Sequence, residues 1–281
     1  MFGIHTAVVT PFTPVGAVDL EALARLIEHQ LAGGVHGIVA CGTTGETPTL
    51  SPEEWESVVR VAVEVVDGRV PVTAGVGTNN TVSTVENTRR AKDLGADAGL
   101  LVFPYYNKPN PAGHRAHIAE AADIGLPIVL YHVPGRTGQR LDPLLVAQFS
   151  QMDGVIGVKE ATGDLLFGGR LLTATPTPVL SGDDFSFLPL LSMGGAGCIS
   201  VVSNTAPRTT VAVYDAFKAG ENDRARELMH TLWPLIEFLF SDSNPVPCKA
   251  LLAAQGLCGA TVRLPLAAFE GTIPTPLLAL D

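Results

Sequence analysis

Short, apolar, β-branched runs alternate along the chain with longer stretches whose apolar residues recur at helical spacing. Eight such runs stand out: Ile4 to Val9, Gly37 to Cys41, Val70 to Ala74, Ala98 to Phe103, Pro127 to Tyr131, Val155 to Val158, Pro178 to Leu180 and Cys198 to Val202. The helix candidates between them have recognisable starts. Leu20 to Leu31 follows Asp19, and Ser51-Pro52-Glu53-Glu54 offers an N-cap hydroxyl, a proline at the first helical position and acids in the first turn. Repeated βα units imply parallel strands covered by helices, and eight of them predict a closed barrel. A doubly wound open sheet is the structural alternative. After the eighth run, Pro207 to Ala219, Asp223 to Phe240 and Pro247 to Gly256 read as three helices. The fold class expected is therefore α/β: an eight-stranded (β/α) TIM barrel over residues 1–220 with a C-terminal helical appendage over 221–281.

Charge and composition narrow the partners. A formal charge of -10 and a pI near 5.1 describe an acidic protein without the Lys/Arg cluster that would track a phosphate backbone, so nucleic acid is not expected. The N-terminus lacks a basic start followed by a long apolar run, and no stretch reaches the ~20 apolar residues of a membrane helix. A cytoplasmic protein that does not enter membranes is expected. The cysteines, Cys41, Cys198, Cys248 and Cys258, form no CxxC pair, and two fall in strand-like runs where cysteine packs as a small hydrophobe; no disulfide framework or zinc site is indicated.

Candidate chemistry gathers around Gly154 to Glu160, where an apolar run ends in Lys159. A continuous Val-Ile-Gly-Val run suits a parallel strand covered on both faces, so this ammonium would emerge in a low-dielectric barrel mouth. Desolvation there favours the free amine, a usable nucleophile. The other lysines, Lys92, Lys108, Lys218 and Lys249, lie among turn residues or in helix-like segments and are expected to reach water. A buried lysine held by Glu160 or a backbone carbonyl is the bland alternative, its ion-pair form weakened because successive strand residues face opposite ways.

Chemistry in such barrels sits on the loops after the strands. Gly42-Thr43-Thr44-Gly45-Glu46 follows the second run and can offer amide and hydroxyl donors to a small carboxylate, although, taken alone, a plain turn explains it better, because Gly/Thr loops are common. Tyr105 and Tyr106 follow the fourth run, and Tyr131 and Arg136 end the fifth, giving phenols that pass protons and a guanidinium suited to a carboxylate. Other signals carry less. Gly75-Val76-Gly77 lacks the third glycine of a dinucleotide loop. His114, His117 and Glu120 share one helical face outside the barrel, expected to be solvated rather than metal-binding, and Gly194 to Gly197 reads as a tight turn.

With GTTGE at 42–46, YYNKP at 105–109, YHVPGRTG at 131–138, GVKEATGD at 157–164 and SGDD at 181–184 in this order, the chain resembles the dihydrodipicolinate synthase and N-acetylneuraminate lyase family. The likeness runs from the first strand to NPVPCKALL and RLPL, and YYNKP with the RTG arginine are signatures of the synthase branch. That resemblance implies condensation of pyruvate with aspartate semialdehyde, with Lys159 forming the Schiff base and Thr43 and Thr44 holding the pyruvate carboxylate. It implies that Tyr131, Thr43 and Tyr106 relay protons, Tyr106 arriving from the neighbouring subunit of a tight dimer within a homotetramer. Arg136 would bind the semialdehyde carboxylate, Gly182 and Ile199 would line the pocket, and no metal or organic cofactor would be needed. A sugar-acid aldolase of the same family and a non-catalytic carboxylate-binding barrel are the alternatives.

Two departures from the family pattern stand out. His132 occupies a place where asparagine is common, and alternation turns it away from the Tyr131 face, so altered packing is expected. In feedback-inhibited relatives a glutamate near the start of the third helix holds lysine at the dimer interface; Ser83 stands there in this chain. Weak or absent lysine inhibition is expected unless Glu46 or Glu86 substitutes.

Overall fold

The computed structural model describes residues 1–281. Its strands are β1 (Gly3–Ala7), β2 (Gly37–Ala40), β3 (Val72–Gly75), β4 (Ala98–Val102), β5 (Ile128–His132), β6 (Val155–Glu160), β7 (Val179–Ser181) and β8 (Gly197–Ser200), and they follow one another around a closed barrel. Each of the eight expected runs is a strand, with ends displaced by at most two residues. The displacement at β6 matters, because the strand runs on through Lys159 and Glu160 and so fixes both by ladder pairing.

Six helix starts in the βα loops follow one device. Asp19 caps Leu20–Ala32 by accepting from Ala22 N, and Ser51 and Glu54 form a reciprocal capping box on Pro52–Val66. Asn80, Asn110, Asp142 and Asp164 cap the helices Thr81–Asp93, Pro111–Ala122, Pro143–Ser150 and Leu165–Ala174. Each short polar side chain satisfies amide groups that the helix leaves unpaired.

The chain divides into two compact units, one of Gly3–Val72 with Ser200–Asp281, the other of Met1–Phe2 with Thr73–Ile199. In the first, a buried polar network ties β1 to the segment after β8: Asn204 Nδ2 donates to Ala7 O, Val9 N donates to Asn204 Oδ1, and Gln30 Nε2 donates to Asn204 O. The same unit corrects the expectation for Lys249. This lysine is fully buried in the helix Val246–Ala254, with Nζ 2.6 Å from Glu46 Oε1, 2.7 Å from Thr261 O and 4.0 Å from the centre of the Phe12 ring. Helical periodicity shows that a residue lies on a helix but not what will pack on it, and here Glu46 and Phe12 come from segments distant in sequence. We propose that 221–281 forms a helical appendage, since it holds helices and loops only, among them Asn222–Leu239 and Val246–Ala254.

In the second unit an aromatic layer covers the outer side of β4 and β5. Phe103 meets His114, His132 and Phe149 at centroid distances of 5.3, 5.7 and 6.0 Å, and His132 stacks on Phe167 at 5.2 Å. His132 thus turns outward from the barrel and packs, as alternation requires. The solvated face expected at His114 and His117 is not there: both are buried, with His114 Nε2 3.0 Å from Gln139 Oε1 and His117 Nδ1 3.0 Å from Thr81 Oγ1. Aromatic neighbours at His114 and a single neutral partner at each ring suit uncharged imidazoles, while Glu120 alone of the three remains exposed. No group of His, Cys, Asp and Glu is arranged to hold a metal ion, and no helix is long and apolar enough to cross a membrane.

Candidate active site

Tyr131 and Lys159 are register partners on the adjacent parallel strands β5 and β6, so their side chains leave the sheet on the same face. Lys159 Nζ lies 4.3 Å from the centre of the Tyr131 ring, and the two residues are only 5% and 6% exposed. The π-face of the ring accommodates a cationic nitrogen where water is excluded. Glu160 leaves on the opposite face, where its Oε1 accepts from Thr162 N at 2.7 Å and burial pushes its carboxyl upward. The glutamate therefore does not hold the lysine.

Gly182, directly after β7, gives the lysine its space. A Cβ there would lie 2.9 Å from Lys159 Cε and 2.6 Å from Ala161 Cβ, closer than van der Waals contact allows, while Gly182 N is anchored to Glu160 O at 2.6 Å. Beside it, burial pushes the Asp183 carboxyl up to about 6; the positive charge of Lys159 opposes that rise and neighbouring Asp184 adds to it. Asp183 was legible only as part of the SGDD motif, because its relation to Lys159 depends on how β6 and β7 pair. Ile199 is fully buried on β8.

The loop after β4 is laced to those after β5 and β3. Tyr106 N donates to Thr137 O at 3.4 Å, Gln139 Nε2 to Pro109 O at 3.0 Å, and Asn107 Nδ2 to Asn79 O at 2.8 Å. Tyr106 adopts a left-handed backbone with φ of 69° and is 88% exposed. Arg136 sits in the single helical turn Pro134–Thr137, closed by Gly138 at φ of 70°, and is exposed. The chain thus brings Lys159, Tyr131 and Gly182 into one cluster and carries Tyr106 and Arg136 on laced, solvent-facing loops.

Thr43 and Thr44 belong to the other compact unit, in a loop held at both ends. Gly45 N donates to Gly42 O and Glu46 N to Thr43 O, each at 3.1 Å, and Cys41 and Glu46 bracket these turns with left-handed backbones at φ of 53°. Thr10 Oγ1 donates to Gly45 O at 2.7 Å and Thr47 Oγ1 to Gly42 O at 3.0 Å. Thr44 is buried, and its Oγ1 accepts from Asn244 Nδ2 at 2.9 Å. The Glu46 carboxylate accepts from Lys249 Nζ and, at 2.9 Å, from Arg263 N. Such a loop presents fixed rather than mobile donors.

The family model described as the dihydrodipicolinate synthetase family matches residues 1–276. The chain belongs to that family. It is 49% identical over 269 residues to a 4-hydroxy-tetrahydrodipicolinate synthase of Methanoculleus marisnigri, covering 94% of this chain and 92% of that one. Among solved structures it is similar to the chloride-inhibited, pyruvate-complexed dihydrodipicolinate synthase of Acinetobacter baumannii, with a TM-score of 0.95 and 40% identity over 99% of this chain and 97% of that one. It is also similar to the lysine-bound enzyme of Cyanidioschyzon merolae, with a TM-score of 0.92 and 35% identity over 99% and 95% of the two chains. Membership agrees with the barrel and with the buried lysine at the C-terminal end of β6. The family motif NPVPCK also contains Asn244 and Lys249, whose partners on the β2 loop could not be read from the motif, since each bond spans about two hundred residues.

Proposed function

We infer that the chain condenses pyruvate with L-aspartate 4-semialdehyde to 4-hydroxy-tetrahydrodipicolinate, in the route to diaminopimelate and lysine, as a class I aldolase-type lyase. The observation that carries this reading is the buried Lys159 amine over the Tyr131 ring, with Gly182 clearing its stem, in a member of this family. Attack of the neutral amine on pyruvate C2 gives a carbinolamine, and loss of water gives an iminium. Its positive nitrogen withdraws electrons and acidifies C3, a base of the proposed relay takes the C3 proton, and the resulting enamine carbon attacks the aldehyde carbon of the second substrate. The new alcohol oxygen takes up a proton; the amino group of the adduct then adds to C2 and expels the Lys159 amine, closing the ring.

Tyr131, Thr43 and Tyr106 are proposed to carry these protons, Thr43 and Thr44 to hold the pyruvate carboxylate, and Arg136 to hold that of the semialdehyde. Gly182 and Ile199 are proposed as pocket walls. Support for Thr43 and Thr44 comes from their position after a barrel strand, the end at which such folds do chemistry. An aromatic as exposed as Tyr106 on a left-handed backbone supports completion of the site by a second copy of the chain, in a tight dimer within a homotetramer. We also propose a cytoplasmic location.

Incubation with pyruvate, borohydride reduction and peptide mass spectrometry should show an adduct on Lys159, and coupled assay should show condensation with aspartate semialdehyde. Turnover confined to N-acetylneuraminate or 2-keto-3-deoxygluconate would overturn the substrate assignment. Pyruvate binding without an adduct would overturn the covalent mechanism.

A further inference from the structure

The β2 loop is gripped by one C-terminal segment at three points. Asn244 Nδ2 reaches Thr44 Oγ1 at 2.9 Å, Lys249 Nζ reaches Glu46 Oε1 at 2.6 Å, and Arg263 N reaches Glu46 Oε2 at 2.9 Å. Arg263 adds a paired contact to the Glu54 carboxylate, with Nη1 at 2.7 Å from Oε2 and Nη2 at 2.6 Å from Oε1, and donates to Thr49 O and Gly16 O. The ionic contacts at Glu46 and Glu54 account for holding the backbone of the loop. The contact at Thr44 is of another kind, because it ends on the hydroxyl proposed to bind substrate.

An amide NH2 donates and cannot accept. With Asn244 Nδ2 donating, Thr44 Oγ1 is the acceptor, and its single proton is directed away from Asn244. We propose that Asn244 is a positioning residue for pyruvate: it occupies an acceptor lone pair of Thr44 and so commits the hydroxyl proton to the substrate carboxylate. Without that contact the hydroxyl is free to rotate, and part of the carboxylate grip is lost on averaging over its rotamers. This proposal rests on the reading that Thr44 binds the pyruvate carboxylate.

A double-mutant cycle on the full-length enzyme tests it, read as pyruvate half-saturation of the borohydride-trapped adduct and as the separate KM values for pyruvate and semialdehyde. Thr44→Val should raise pyruvate half-saturation roughly tenfold or more, and Asn244→Ala about two- to tenfold, the range of one neutral hydrogen bond. Neither should move the semialdehyde KM comparably, and Asn244→Ala should have no further effect in Thr44→Val. If the two factors multiply, Asn244 acts on packing or on another group and the proposal fails. A Thr44→Val effect without an Asn244→Ala effect also overturns it, while leaving the function of Thr44 intact. No effect of Thr44→Val on pyruvate overturns both this proposal and the underlying reading of Thr44.

Asn244→Asp provides a variant of nearly unchanged volume should the alanine destabilise the chain. Its carboxylate can only accept, so Thr44 must donate to it and the proton is withdrawn from the substrate. The loss should exceed that of Asn244→Ala, and the excess should vanish in Thr44→Val. An excess that survives there reports charge repulsion and counts against control of the hydroxyl.

Discussion

Lys159 and Tyr131 are paired across β6 and β5, with the lysine Nζ 4.3 Å from the centre of the tyrosine ring. The ring and the phenol of Tyr131 therefore have separable tasks: the ring bounds the amine, and the hydroxyl is the proposed proton carrier. Tyr131→Phe keeps the ring. It should still form the trapped pyruvate adduct, more slowly, while condensation kcat falls about a hundredfold or more, the usual worth of a positioned acid–base group. A kcat within threefold of the unaltered enzyme would remove Tyr131 from the relay.

Gly182→Ala tests the clearance around the lysine. The added methyl would sit 2.9 Å from Lys159 Cε and 2.6 Å from Ala161 Cβ, so either the lysine stem shifts or the loop does. Overpacking of this kind costs about 1–3 kcal/mol, and the displaced amine should lower the rate of adduct formation by about tenfold. Adduct formation at the original rate would show that the site gives way elsewhere.

Lys249→Met leaves the Glu46 carboxylate buried without its cation. Burial already disfavours the Lys249 ammonium, and the hydrogen bond and charge of Glu46 oppose that effect. Removing one member of such a pair typically costs about 3–5 kcal/mol, measurable as a lower urea midpoint, and Lys249→Met with Glu46→Gln should recover part of it. A loss below about 1 kcal/mol would show that water or Arg263 replaces the lysine.

These variants separate what the chain discloses in order from what only folding reveals. The barrel is legible because the strands are short and apolar and most are followed by a helix with a polar cap, a local pattern. Lys159 was legible because a cation ending such a run has few explanations. Lys249 was not, since it resembles any surface helical lysine until Glu46 and Thr261 are brought over it. The His114 and His117 face is hidden for the same reason: a polar residue outside a barrel looks solvated until Phe103 and Phe149 pack on His114 and Thr81 meets His117.

The acids considered as substitutes in a lysine site are already engaged. Glu46 is held by Lys249 and Arg263, and Glu86 pairs with Arg90 one helical turn away. Ser83, at the start of the helix Thr81–Asp93, supplies no charge. A cationic ligand needs an anion to offset its desolvation, so L-lysine at 1 mM should leave the condensation rate unchanged. Half-inhibition below 1 mM would reveal a different set of ligands.

Acid should weaken the fold through the buried histidines. Burial holds His117 and His132 down to about 4, and it lowers His114 as well. In the unfolded chain these rings protonate near 6.5, so between pH 6.5 and 4 the unfolded state binds more protons. The stability gained from keeping the rings neutral is complete above pH 6.5 and is lost as pH falls towards 4. At pH 5 the loss is about 2 kcal/mol per fully shifted histidine, from ~1.4 kcal/mol per pKa unit. Asp183 works the other way: raised to about 6, it takes up its proton first in the folded state and returns part of the loss. Glu160, also raised by burial, acts in the same sense as Asp183, but His117 and His132 with His114 outweigh these two carboxyls and leave a net decline. His132→Asn places a non-titrating side chain beside Phe103 and Phe167, where it gives up the 5.2 Å stacking contact. It should therefore start less stable at pH 7.5 yet lose about 2 kcal/mol less than the parent between pH 7.5 and 5, as read from urea midpoints at the two pH values. Equal losses in parent and variant would mean that the His132 ring reaches a proton-stabilising partner on acidification.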